Sequence, residues 1–346
     1  MSKITINDIA KAAQVAKSTV SKVMSDAPSI SEETKRKVRA VMKEMNYTPS
    51  SLATRLARQT SYNIGVLVDM TRREQYVDPF FYSIVGGIQS VIGPLHYELT
   101  MANGSGDTEE DRLSFVNRLV QSRKVDGLIM NHTLLSDAIL AHLHQLRFPI
   151  VSIGGMWRPD DVPIVDIDNR LGGELLTKHL AEQGRTKIAW IGGEEQDYIR
   201  RSRYEGYLRG LEASGLVPID SYSKLGSSDE YGGERLMDEL LGLEDRPDAV
   251  ICMNNYTAFG VLKALKRAGV SIPSEISVAA FDNYPLAPYT EPPLTCLEVD
   301  TFELGIEAAT RLMQVINGSS SESSLGEPLL LPPTLIVRES SVRRHT

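Results

Sequence analysis

At 346 residues the chain exceeds one ordinary domain, and a prior of about 150 residues per domain implies two or three compact units. With 42% hydrophobic and 24% charged residues and no run of about 18 apolar residues, it is a globular chain for which no membrane span is expected. The net charge of −8 is divided unevenly: residues 1–60 hold eleven Lys/Arg against five Asp/Glu, a local +6, which leaves −14 on the rest. A basic end on an acidic body directs a polyanion to that end alone.

The N-terminus enters a polar, helix-starting pattern without the basic-then-apolar layout of a secretory signal, so a cytoplasmic protein is expected. Thr5-Ile6-Asn7-Asp8 has a hydroxyl followed three residues later by a carboxylate, a capping arrangement, and Ile9, Ala10 and Ala13 follow at helical spacing. Gln14-Val15-Ala16 breaks the pattern, and Lys17 to Met24 resumes it with Val20 and Val23 inward. Two short helices thus meet at a tight turn, with Lys17, Ser18, Ser21 and Lys22 on the outer face of the second, as a recognition helix in a major groove requires. Ser31-Glu32-Glu33 starts a third helix with Val38, Val41, Met42 and Met45 as its inner stripe. A small helical bundle with a solvated polar face is the other reading of this pattern.

Ile4 to Ala10, Val15, Ser18 to Val23, Asn46-Tyr47-Thr48-Pro49 and Leu52 to Ala57 resemble the N-terminal signature of the lactose-repressor (LacI/GalR) family of bacterial transcriptional regulators. The resemblance implies a helix-turn-helix headpiece over 1–49 and a hinge helix and linker over 50–60. It also implies operator contacts from Thr5, Lys17, Ser18, Thr19, Ser21, Lys22, Ser31, Tyr47, Ser50, Ala53, Arg55 and Leu56. Three residues depart from the pattern: Gln14 replaces the usual Gly, Ala16 the usual capping Ser, and Lys22 the usual Arg, which gives up a bidentate fork toward guanine. Pro49 stops the third helix, and the stretch 50–57 is too short to be a stable helix alone. By resemblance it folds when two copies pair over DNA, with Leu56 wedging into the minor groove; without that match it would read as a plain linker.

From Ile64 onward, short apolar runs alternate with amphipathic stretches: 64–68, a helix through Ile84–Ile92, 99–102, a helix over 108–122, 127–130 and 150–153. A second series has strands near 188–191, 249–253 and 277–281, with helices after Arg170, Ser202, Tyr231 and Tyr256. This is α/β with parallel sheets in two lobes, an N-lobe of about 61–168 and 297–328 and a C-lobe of about 169–296 and 329–340. Ligands of such sheets sit beyond the strand carboxyl ends, here in the cleft between lobes. Gly104-Ser105-Gly106-Asp107 lacks the third glycine of a dinucleotide fingerprint and precedes an acidic run, so it reads as a turn, and no catalytic motif points to an enzyme. Cys252 and Cys296, each in an apolar run, read as buried reduced thiols; no metal or cofactor is expected.

The family resemblance extends over this body through Asp78-Pro79-Phe80-Phe81, Asp166 to Asn169, Arg203 to Tyr207 and Phe281-Asp282-Asn283. It implies a periplasmic-binding-protein-like fold whose effector contacts include Asp78, Phe80, Phe81, Ser228, Asn254, Arg203 and Asp282; Trp157 could offer a flat face to a sugar ring. Phe and Trp near strand ends serve equally often as core, and an Arg/Asp pair can merely latch two lobes. Asn254-Asn255 departs from the usual Asn-Asp. The resulting expectation is a repressor of carbohydrate utilisation, bound as a homodimer to a near-palindromic operator and switched by a mono- or oligosaccharide. An α-glucoside leads, with a phosphosugar or purine, or a free solute-binding role, as alternatives. The tail from Ser341 is too short for an oligomerisation arm.

Overall fold

A computed structural model describes residues 4–24, 27–47, 60–69, 79–155, 162–318 and 327–342. The first three helices, α1 (Ile6–Ala12), α2 (Lys17–Met24) and α3 (Glu32–Glu44), pack around Ile9, Ala13, Val20, Val23 and Val38, with Val41, Met42 and Met45 packed against them. The Asp8 carboxylate accepts from both the Thr5 N–H (2.9 Å) and the Thr5 hydroxyl (2.7 Å), which tethers the start of α1 and lowers the Asp8 pKa. Ser31 Oγ accepts from Thr34 N–H at the start of α3. Gln14 closes α1 in the left-handed region, at φ 54°.

The first lobe contains β1 (Asn63–Val68), α4 (Pro79–Ile92), β2 (Glu98–Asn103), α5 (Glu109–Gln121), β3 (Gly127–Asn131), α6 (Asp137–Gln145), β4 (Ile150–Ile153) and β5 (Ile164–Ile167). The second contains α7 (Asn169–Glu182), β6 (Ile188–Ile191), α8 (Tyr198–Ala213), β7 (Ser223–Lys224), α9 (Glu230–Leu241), β8 (Ala249–Cys252), α10 (Asn255–Ala268), β9 (Ser277–Phe281) and β10 (Thr295–Glu298). The chain then supplies α11 (Thr301–Ile316) and β11 (Leu329–Leu331) to the first lobe and β12 (Thr334–Ile336) to the second. The sheet orders are β11-β5-β4-β3-β1-β2 and β12-β10-β9-β8-β6-β7, parallel except where β12 meets β10. Both faces of each sheet are covered. In β1, Ile64 and Val66 enter the core shared with α4 and α11, whereas Leu67 enters the opposite core with α5 and α6.

Two boundaries differ from expectation. The second-lobe sheet retains Leu297 and Glu298 on β10, and Leu329–Leu331 pairs with β5 in the first lobe rather than with the second. Both apolar runs near the C-terminus look alike in sequence, and Pro332-Pro333 between them marks the crossing. The helices of the second lobe also begin earlier than their apolar periodicity indicates. Asp168, Asp197, Asp229 and Asn254 cap α7, α8, α9 and α10 by accepting from Leu171, Ile199, Gly232 and Thr257 N–H. Gly104 to Asp107 is a turn, its Ser105 bonded to Asn103 Oδ1, ahead of the Thr108 cap of α5. Ser341, the first residue of the expected tail, is buried and bonds His179 Nε2 (2.7 Å) and Thr295 Oγ1 (2.6 Å).

Candidate effector site and nucleic-acid interface

The second lobe brings three strand-end loops and two helices to one place. Helices α7 and α8 cross with glycine against glycine: a Cβ on Gly206 would stand 2.0 Å from the Arg170 carbonyl, and one on Gly173 would stand 2.1 Å from the Arg203 carbonyl. This approach sets Arg203 beside the N-terminus of α7, where its Nε donates to Asn169 Oδ1 at 2.8 Å. Nη1 donates to the Met253 carbonyl (2.6 Å) after β8, and Nη2 to Asp282 Oδ1 (3.1 Å) after β9. The guanidinium also lies over the Phe281 ring, 4.3 Å from its centroid. Both members of the ion pair are buried.

Asp282 adopts φ 69°, a left-handed conformation that costs a non-glycine residue energy and that the loop must therefore enforce. Asn255 supplies the constraint. Its Nδ2 donates to the Phe281 (3.0 Å) and Asp282 (2.6 Å) carbonyls while Oδ1 accepts from Tyr284 N–H (2.9 Å). The departure from Asn-Asp at this dipeptide thus has a structural meaning: an amide donates to carbonyls where a carboxylate has no proton to offer.

The first lobe faces this cluster with Asp166 on β5, His132 after β3 and Phe80 on α4. The Phe80 ring meets Tyr284 edge-on (centroids 4.9 Å), and the His132 ring meets Tyr198 at 5.6 Å, so aromatic contacts join the lobes on two sides. Asp166 is 6% exposed, and burial, opposed by the Ile167 N–H and the Arg203 charge, pushes its pKa up to about 6. Burial likewise holds His132 below its ordinary value. A cavity of about 370 Å³ adjoins the cluster through Asn169 and Tyr198, but neither Arg203 nor Asp282 lines it.

Among the residues expected from sequence, the structure places Arg203 and Asp282 together and Phe80 on the facing lobe. Phe81 is half-buried beside Tyr82, at the same helix start. Asn254 caps α10 and donates to the Ser228 carbonyl (2.9 Å), so these two residues brace one another. Asp78 and Trp157 lie outside the described residues. Asn169, Asn255, His132, Tyr198 and Asp166 complete the cluster, and sequence reasoning assigns none of them a contact. The available signals are the family-like run Asp166 to Asn169, the Asn254-Asn255 departure, and the acidic Asp166 inside an Ile/Val strand, since a charge in a buried strand requires a reason.

In the headpiece, Lys17, Ser18 and Lys22 are exposed on α2 and Ser21 is partly so, giving one polar face with Thr19. Ala16 contributes its carbonyl to α2, accepting from Thr19 and Val20 N–H. Thr5 and Ser31 have their hydroxyls engaged at helix starts, and Tyr47 packs against the headpiece core. Ser50, Ala53, Arg55 and Leu56 lie outside the described residues.

A model of the lacI family of bacterial regulatory proteins matches residues 5–50, and a periplasmic-binding-protein-like domain matches residues 177–341. The transcriptional repressor PurR of Aliivibrio salmonicida is 31% identical over 340 residues, covering 97% of this chain and 98% of the relative. The chain belongs to the LacI family. The ribose operon repressor of Escherichia coli K12 is 32% identical over 346 residues, covering 97% and 99% of the two chains. A structure of the Lac repressor dimer bound to operator and an anti-inducer superposes with a TM-score of 0.81 at 26% identity, covering 99% of this chain and 100% of that one. The headpiece is accordingly the DNA-binding module of a LacI-family repressor, and the two-lobed body is its small-molecule receptor. No helix among the described residues is long and apolar enough to cross a membrane.

Proposed function

We propose that this LacI-family repressor controls carbohydrate utilisation, acting in the cytoplasm as a homodimer on a near-palindromic operator, with a sugar as its effector. The observation that supports the sugar is the Arg203–Asp282 pair. Three of the guanidinium N–H groups are engaged among the described residues and Oδ2 of Asp282 stands outside the pair, so the two side chains present adjacent donors and an acceptor. That is the complement of vicinal hydroxyls, each of which both donates and accepts. A phosphosugar fits less well, because the cation of the cluster already faces two carboxylates, Asp282 and Asp166. A stacked purine is also less favoured, since the Arg203 guanidinium covers the Phe281 ring and Trp190 is fully buried. A LacI-family regulator in complex with cellobiose, 27% identical and with a TM-score of 0.71, is a structural neighbour.

The hinge sequence 50–57 is the proposed coupling element: the relative placement of two bodies in a dimer decides whether the paired segments order on DNA. In the proposed arrangement the N-lobe, the C-lobe, the headpiece contacts and the cleft act as one switch. The test is a thermal-shift screen of the full-length protein against mono- and oligosaccharides, followed by gel shifts on upstream DNA. Stabilisation by at least one sugar, lost in Arg203→Lys, supports the reading; stabilisation only by phosphosugars or purines would overturn it.

A further inference from the structure

Asp166 is a buried carboxylate whose bonding is incomplete. Its Oδ1 accepts from the Ile167 N–H at 2.7 Å, and the Gly155 N–H also reaches the carboxylate. Its Oδ2 is buried and has no hydrogen-bond partner among the described residues. A buried acceptor left unmatched is disfavoured, and one that persists calls for a reason, such as a group of a bound ligand that completes it. The nearby cation, Arg203, does not do so, because it directs Nε, Nη1 and Nη2 to Asn169, Met253 and Asp282 within its own lobe. Tyr198 stands on the same side, packed on His132 and close enough to Asp166 for the carboxylate to act on its phenol. The carboxylate sits at the carboxyl end of β5, the last strand before the chain crosses lobes, and therefore faces the cleft from the side opposite Asp282.

We propose that Asp166 is an effector-contacting, specificity-determining residue of the first lobe, accepting a hydrogen bond at Oδ2 from a hydroxyl or amino group of the ligand. The proposal rests on the reading that the effector lies against Arg203 and Asp282. The ligand class it selects is a neutral or cationic polyhydroxylated molecule that can donate on both of its sides; a ligand presenting a phosphate or a bare acceptor toward β5 is rejected. The burial that raises the Asp166 pKa to about 6 is consistent with this, because a donor from the ligand would relieve it. Contact with one lobe through Asp166 and the other through Arg203 would also give the ligand a grip on the angle between lobes.

The experiment is isothermal titration of full-length wild type, Asp166→Asn and Arg203→Lys with glucose, ribose, maltose, cellobiose, glucosamine and glucose 6-phosphate. For each neutral sugar that binds, its monodeoxy analogues are titrated as well. A hydrogen bond to a charged group contributes roughly ten- to hundredfold in affinity. One deoxy analogue is thus expected to bind wild type at least tenfold more weakly than the parent sugar, and this ratio is expected to collapse toward one in Asp166→Asn. The ratio is insensitive to a merely structural role, because a loosened fold weakens sugar and analogue together. If Arg203→Lys abolishes binding while Asp166→Asn keeps every ratio, the Asp166 proposal is wrong and the cleft reading stands. If neither variant alters any affinity, or wild type binds only glucose 6-phosphate, both are wrong.

Discussion

Replacing Asp166 by Asn should make the ligand-free protein progressively more stable than wild type as pH rises. Burial raises this carboxyl from its ordinary value of 3.8 to about 6, so the folded chain binds more protons than the unfolded chain across that interval. The associated stabilisation is fully present below the unfolded value and is lost as pH climbs through the folded value. At about 1.4 kcal/mol per pH unit the whole window is worth about 3 kcal/mol, of which about 2 kcal/mol falls between about pH 4.5 and pH 7.5. The charged and titratable groups that bear on Asp166 are Arg203 and Tyr198 on α8 and Asp168 before α7. His132 and His179, held below their ordinary values by burial, contribute in the other direction: their stabilisation is lost as pH falls through 6.5 toward their folded values, and this happens in both proteins. The difference between variant and wild type therefore isolates Asp166. Urea denaturation of both full-length proteins across that pH range measures it. A difference that stays constant with pH, or that shrinks as pH rises, would refute the idea that this carboxylate is buried without a matching donor.

Three further perturbations follow from local geometry. Gln14→Gly should stabilise the headpiece by about 0.5–1 kcal/mol, because Gln14 holds φ 54° where glycine has no steric penalty; an unchanged or lower melting midpoint of the headpiece contradicts this. Gly206→Ala places a Cβ 2.0 Å from the Arg170 carbonyl and should destabilise the second lobe by about 3 kcal/mol while weakening sugar binding, since α8 also carries Arg203; calorimetric melting and titration read both effects, and a neutral substitution would show that the helices do not cross as described. Leu56→Ala should impair operator binding at least tenfold in gel shifts while leaving effector titrations unchanged, and unaltered operator affinity would remove the proposed wedge.

The parts of the fold that could be read from the sequence are those fixed by local pattern. The headpiece follows from the spacing of Ile9, Val20, Val23 and Val38, all buried together, and the strands of the body follow from apolar runs such as Ile188–Ile191. Helix starts in the second lobe read late because apolar periodicity is blind to them, whereas they are set by polar caps such as Asp197 and Asp229. The lobe of Leu329–Leu331 is misread because a three-residue strand carries no information about its partner; pairing with β5 is a tertiary fact. Arg203 and Asp282 come from resemblance and are 3.1 Å apart in the structure. Asn255, which holds the Asp282 loop, and Asp166 across the cleft do not emerge as contacts, because each matters through residues distant in sequence.

The central claim is that ligand bound at Arg203 and Asp282 changes what the headpieces do on DNA. Fluorescence anisotropy with a labelled operator fragment, in the absence and presence of a saturating sugar identified by thermal shift, tests it directly. At least a tenfold change in operator affinity is expected for wild type, a coupling of about 1.4 kcal/mol, and none for Arg203→Lys at the same sugar concentration. Operator affinity that is indifferent to a sugar demonstrably bound by the wild-type protein would contradict it.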